Sequence, residues 1–300
     1  MKAICIGQAT YDITLPVDKF PTKNGKMKIN KKIECGGGSA SNAAYLLSSW
    51  GCDVYFSGVV GKDYYGSMIL DEFDKVGVNK KYIQIKNDFD TPSSYIISNY
   101  NTSDRSIITV RNKSMNFIDD ISIDDKFDVI YLDGYENNLA KKVIQNNPDA
   151  IKIIDAGGVK DGIIEVCNMV DYIVCSKDFA CEYTDVEINC EDLDSIIEAY
   201  KILNEKFSAK IIITLGEYGS FTYSDGYHLI PSIKVNAIDT TGAGDIYHAA
   251  FIYFMFHEYN ILQSMRLANI TAALSTEKIG SRDSIVLLEE VLRKNDDVLQ

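Results

Sequence analysis

The chain has 300 residues, 46% of them apolar and 24% charged, with 20 glycines and 5 prolines. That composition belongs to a globular chain with ample material for a core, and it excludes collagen-like, low-complexity and disordered classes. With 43 acidic against 30 basic residues the formal charge is -13, and no stretch gathers the Lys and Arg of a nucleic-acid footprint, so neither duplex DNA nor an anionic membrane surface is an expected partner.

The N-terminus, MKAICIGQATYDI, holds only a short apolar run before Gly7 and Gln8. That is too short for a secretion signal, so it reads as a first strand and the expected location is the cytoplasm. Seven cysteines form no CxxC and their number is odd, as expected of reduced thiols. Residues 12–36 and 88–112 lack helical spacing and read as strands joined by polar turns, the latter as TPSSYIISNY and RSIITVR. Together they are expected to form a small β-sheet lid. Ile96, Ile108 and Val110 on its alternating strands motivate a homodimer through the lid.

Elsewhere the runs DVYFSGVV, DVIYLD, AIKIID, DYIVC and AKIIITL alternate with helical patterns over 42–50, 64–75, 139–145, 192–207 and 261–278. This alternation predicts an α/β fold, a mainly parallel doubly wound sheet flanked by helices within a single domain over 1–300. The ligand crevice then lies at the carboxyl ends of the strands. The longest apolar run, IYHAAFIYFMF at 246–256, is about half the ~20 residues that span a bilayer, so it predicts a buried helix.

The segment 238–250 reads IDTTGAGDIYHAA, a polar loop with two glycines running into that helix. A helix starting near Gly242 leaves its first amides unpaired at the positive end of the dipole. Gly242, Ala243 and Gly244 are therefore expected to form an anion hole. Asp245, one residue further, either complements the dipole or takes a proton from a reacting group.

The string DTTGAGD resembles the C-terminal signature of the ribokinase-like (PfkB) carbohydrate kinase family. GGGSASNAAYLLSSWG followed by GVVGKDYYG resembles the family's first signature. The resemblance runs along almost the whole chain. It implies that Gly37, Gly38 and Asn42 bind sugar, that Asp12 accepts hydrogen bonds from sugar hydroxyls, and that Asp245 is the catalytic base. It implies that Thr214, Gly216 and Gly219 in IIITLGEYG line the ATP site, with Asn269 near the nucleotide base. Asp239 and Thr241 match a loop that often holds a monovalent cation such as K+, with Ser275, Lys278, Gly280 and Ser284 as the rest of that site. The family's NxxE motif, which organises Mg2+ and phosphate waters, should fall at 176–179 but reads SKDF. Ser176 stays near the nucleotide. Asp178, or the ATP phosphates with water, is left to hold Mg2+, and Lys177 is a candidate to neutralise phosphate. A similar SKD-x-A string in ketohexokinase-like members points to a ketose. Arg105, in the turn NTSDRS, stands where the family often has an arginine, and is equally read as a solvated turn residue.

Competing motifs fail. Residues 58–63 contain GK followed by Asp rather than Ser or Thr, and 36–41 lacks the third glycine of a dinucleotide fingerprint. His228, His248 and His257 show no ligand spacing, so no zinc is expected. Trp50 is expected in the core. The expected function is ATP-dependent phosphorylation of a hydroxyl on a small sugar, fructose-like or ribose-like. The alternatives are a nucleoside kinase of the same fold and a non-catalytic sugar or nucleotide sensor.

Overall fold

The computed structural model of the protein describes residues 1–102, 104–111, 121–160 and 162–299, so positions 103 and 112 of the expected lid lie outside the described residues. In chain order, β1 (Lys2–Ile6), β2 (Thr10–Val17) and β3 (Ile33–Gly37) lead into α1 (Ser39–Ser49). β4 (Asp53–Gly61), α2 (Tyr64–Val76) and β5 (Asn79–Lys86) follow, then β6 (Ser93–Asn99) and β7 (Arg105–Val110). The second half runs β8 (Val129–Leu132), α3 (Asn137–Asn146), β9 (Ile151–Ala156), α4 (Ile163–Cys167), β10 (Tyr172–Ser176), α5 (Lys177–Thr184), α6 (Leu193–Lys206) and β11 (Lys210–Thr214). It closes with β12 (Ser220–Tyr223), β13 (Tyr227–Ile230), α7 (Ala243–Phe256), α8 (Ile261–Ser275) and α9 (Leu288–Leu299).

The main sheet has the order β13-β12-β11-β10-β9-β8-β1-β4-β5, parallel from β11 to β5 and antiparallel at the β12 and β13 edge. Successive side chains of a strand point to opposite faces, so near-continuous apolar runs serve both faces of a covered sheet. In β1, Ala3 and Cys5 join the core beneath α1, α7 and α8, while Ile4 and Ile6 join a second core beneath α3, α4 and α6. Trp50 ends α1 in the first core, its Nε1 donating to Val286 O at 2.9 Å and its ring edge-on to Tyr253. All seven cysteines are free. Among the described residues no helix is long and apolar enough to cross a membrane.

The segments expected as a lid form a second sheet of order β3-β2-β6-β7, with β2 parallel to β6 and the outer pairs antiparallel. Strand alternation corrects one expectation about its surface. Ile96 is buried and shares its face with its cross-strand partner Ile107, whereas Tyr95, Ile108 and Val110 alternate onto the outer apolar face. The strand β5, the β12–β13 hairpin and the helices α4, α5 and α9 went unread in the sequence. α4 is a single five-residue turn, and β5, NKKYIQIK, carries too many lysines to look like a strand.

Candidate active site

Two glycine turns face each other at the carboxyl ends of the parallel strands. Gly38 caps α1 with φ of +92°, and Gly242 caps α7 with φ of +76°, both in the region that glycine occupies without strain. One turn into each helix the side chains meet, Asn42 Nδ2 donating to Asp245 Oδ2 at 2.8 Å. Burial pushes the Asp245 carboxyl up from its ordinary value. The nearby Asp155 carboxylate adds to that rise, and Asn42 and Ser39 oppose it by hydrogen bonding. Of the three expected anion-hole amides, Ala243 N–H donates to Thr240 O at 3.2 Å, so phosphate must displace that turn bond to reach it. Asn42 Oδ1 is buried without a hydrogen-bond partner, an acceptor left free beside the Asp245 carboxylate.

Asp12, in the middle of β2, is buried against the same turns. Thr10 Oγ1 donates to its Oδ1 at 3.2 Å and Ser281 Oγ to its Oδ2 at 3.4 Å. Burial raises its pKa to about 6, and Asp245 contributes to the rise. A Cβ on Gly37 would lie 2.0 Å from Asp12 Oδ2, so the absence of a side chain at 37 is what gives this carboxylate its place.

Sequence reasoning missed the segment that ties these parts together. Arg282 is buried, with Nη1 on Glu72 Oε2 at 2.5 Å, Nη2 donating to Ser41 Oγ, and its guanidinium 5.0 and 4.9 Å from the rings of Tyr45 and Phe73. Glu72 also accepts Gly36 N–H at 2.9 Å, and a Cβ on Gly36 would lie 2.3 Å from the guanidinium carbon. Next to Arg282, Ser281 Oγ donates to Gly36 O at 3.1 Å, and Gly280 N–H donates to Asp239 Oδ2 at 3.1 Å. One loop thus holds both turns. An Arg in GSRDS and a Glu inside a helix give no local sign of pairing across 210 residues.

Among the residues assigned to a cation site, Asp239, Thr241 and Gly280 converge. Asp239 Oδ1 accepts both Thr241 N–H at 3.0 Å and Thr241 Oγ1 at 2.7 Å. Ser284 Oγ donates to Ser281 O close by, whereas Ser275 Oγ turns back onto its own helix at Ala272 O and the Lys278 side chain is exposed. On the nucleotide side, Thr214 Oγ1 donates to Cys175 O at 3.3 Å. The turn after it places Gly216 at φ of +59° and Gly219 at +100°. Gly219 packs against Ile230 O, the carbonyl that Asn269 Nδ2 reaches at 2.9 Å. Ser176 caps α5 by accepting Phe179 N–H at 3.0 Å and donates to Gly157 O. Lys177 and Asp178 follow in its first turn.

Three more groups stand at the strand ends. Asp155 accepts Tyr131 Oη–H at 3.2 Å and lies 3.5 Å from His248 Nδ1. His248 sits one turn after Asp245 and is buried with neither ring nitrogen hydrogen-bonded. Asp133, with its pKa raised by burial to about 6, accepts Gln8 N–H at 2.7 Å and Tyr135 N–H at 3.1 Å. Strand-end position was the signal available for both acids. From the lid, Arg105 Nη1 donates to Thr240 Oγ1 at 2.8 Å, so the residue equally read as a solvated turn position bridges the lid to the loop before α7.

Among solved structures, the Arabidopsis thaliana ribokinase complexed with ribose and ATP matches with a TM-score of 0.83 at 21% identity, over 97% of each chain. The mainly parallel sheet with its separate small sheet is therefore the ribokinase fold. A ribokinase of Lactococcus lactis is 28% identical, covering 98% of this chain and 96% of its own. An ATP-dependent ribose-1-phosphate kinase of Halopiger xanaduensis is 23% identical, covering 95% of each. The sequence profile of the pfkB family of carbohydrate kinases matches residues 1–287, and the chain belongs to that family.

Proposed function

We propose that this kinase transfers the γ-phosphoryl group of ATP to a hydroxyl of a small sugar, with Asp245 as general base. The observation that carries the reading is the Asn42–Asp245 hydrogen bond, which joins the turn suited to sugar hydroxyls to the turn suited to phosphate. Asp245 takes the acceptor proton as the new O–P bond forms and the bond from γ-phosphorus to the bridging oxygen breaks, releasing ADP. The amides at 242–244 oppose the charge on the transferring group. Asp12 and Asn42 Oδ1 accept hydrogen bonds from the sugar, and Thr214, Gly216, Gly219 and Asn269 border the nucleotide.

The residues present do not form a protein cage for Mg2+. Ser176 spends its hydroxyl on capping α5, and among the described residues no group of three or more His, Cys, Asp or Glu is placed to hold a metal ion. The metal then rests on ATP phosphates and water. The joined segments at Asp239, Thr241 and Gly280 are the place proposed for a K+ beside the anion hole. The outer lid face of Tyr95, Ile108 and Val110 is suited to a second copy of the chain.

The relatives' names cover acceptors with and without a phosphate, so the acceptor is the open variable. ADP release measured across neutral sugars, sugar acids, sugar monophosphates and nucleosides tests the reading. Turnover confined to nucleosides, or absent with every acceptor, contradicts it.

A further inference from the structure

From the turn at Gly38 a chain of contacts through Gln8 and Asp133 leads to two cations. Gln8 lies against Gly38, where a Cβ would come within 2.6 Å of Gln8 O, and Gln8 N–H is fixed by Asp133. Gln8 and Glu136 share a small cavity with Pro92 of the lid connection, and Gln8 Nε2 is buried there without a partner. On the next residue stands Tyr135, where two cations converge. Arg111, just after lid strand β7, donates from Nη1 to Tyr135 Oη at 3.4 Å, with its guanidinium 5.8 Å from the ring centre. Lys160, after β9, holds Nζ 3.8 Å from the same ring centre and donates to Asp133 O at 2.9 Å.

Among the described residues neither cation has a carboxylate within ion-pairing distance. The buried Asp133 carboxylate accepts the Gln8 and Tyr135 amides, and the Lys160 charge opposes the rise that burial imposes on it. In a chain of net charge -13, a guanidinium and an ammonium drawn to one phenol ring, neither in an ion pair among the described residues, mark a place for an anion.

We propose that Arg111, Lys160 and Tyr135 bind an acid group, carboxylate or phosphate, carried by the acceptor sugar at the end away from the hydroxyl that is phosphorylated. The inference rests on the kinase reading above and names its substrate class. Arg111 comes from the lid and Lys160 from the main body, so the acid group also draws the lid onto the sugar. The Arg fork suits a planar carboxylate or a phosphate edge, the phenol donates a third hydrogen bond, and Gln8 and Glu136 meet the uncharged middle of the molecule.

The test uses the full-length enzyme with matched acceptors: a neutral sugar, the corresponding sugar acid and the corresponding sugar monophosphate. ADP release gives kcat/KM, and calorimetry without ATP gives affinity. In the wild type one of the two acidic acceptors is expected to exceed the neutral sugar by about tenfold or more, the scale of a charge-assisted contact, and the better of the two identifies the acid. Lys160→Met and Arg111→Gln should each lower the acidic-to-neutral ratio by about tenfold through KM rather than kcat. Preference for the neutral sugar, or an equal loss with all three acceptors in both variants, overturns the proposal. Binding of the acidic sugar in calorimetry that Lys160→Met abolishes, without turnover of any acceptor, supports this site while contradicting the kinase reading. Absence of binding by either acidic sugar contradicts the site itself.

Discussion

The two glycine turns that build the cleft are packed in opposite ways. Around 36–38 the space a side chain would occupy is filled, at Gly36 by Arg282 and at Gly37 by Asp12. Around 242–244 the far end is open, and a Cβ on Gly244 would meet nothing closer than His248 Cε1 at 3.9 Å. The first turn needs glycine so that buried charged side chains can reach through it and stay fixed. The second needs glycine so that an incoming anion can reach backbone amides. In the proposed reading a closely packed sugar subsite thus faces a more open phosphate subsite, with the Asn42–Asp245 hydrogen bond running between them.

The sharpest way to break this comparison is to place one methyl group in each turn. Gly37→Ala should displace the Asp12 carboxylate and lower kcat/KM for the sugar by about 10²-fold, mainly through KM. Gly244→Ala should leave stability unchanged or raise it by up to ~1 kcal/mol, because alanine favours a helix, while the methyl shields the amides and lowers kcat. Equal effects of the two substitutions on KM and kcat would erase the distinction. A second test addresses what fills the sugar turn. Arg282→Met leaves Glu72 buried and unpaired and should cost about 3–5 kcal/mol in denaturant unfolding, whereas adding Glu72→Met should recover much of the loss. A smaller effect concerns pH. Asp12, with its pKa raised to about 6, is protonated below that value and ionised above it. As a carboxylate it is the stronger acceptor for sugar hydroxyls, so kcat/KM should rise between about pH 5 and 7, and Asp12→Asn should make that limb less steep, leaving the part set by ionisation of Asp245, which burial also raises.

Most of the main sheet was legible because its strands are continuous apolar runs and its helices keep a regular spacing, and DTTGAGD marked the glycine turn that opens α7. The parts that escaped depend on distance in sequence. Arg282 and Glu72 carry no periodic signal and gain meaning only when Gly36 lies between them. The role of Arg105 required knowing that β7 folds back over Thr240. Ile96 was misplaced because a single alternating strand does not reveal which of its faces meets the core, and pairing with β2 decides it. Lys160 and Arg111 share no sequence signal, and only Tyr135 brings them together.

The central claim is that the Asp245 carboxylate takes the acceptor proton across the bridge between the two turns. Steady-state turnover and calorimetric affinity of Asp245→Asn measure it most directly, since the amide keeps the shape of the side chain and a hydrogen bond to Asn42 while losing the base. The account predicts sugar and ATP affinities within several-fold of the wild type and a kcat lower by about 10²-fold or more. A kcat close to that of the wild type would contradict it.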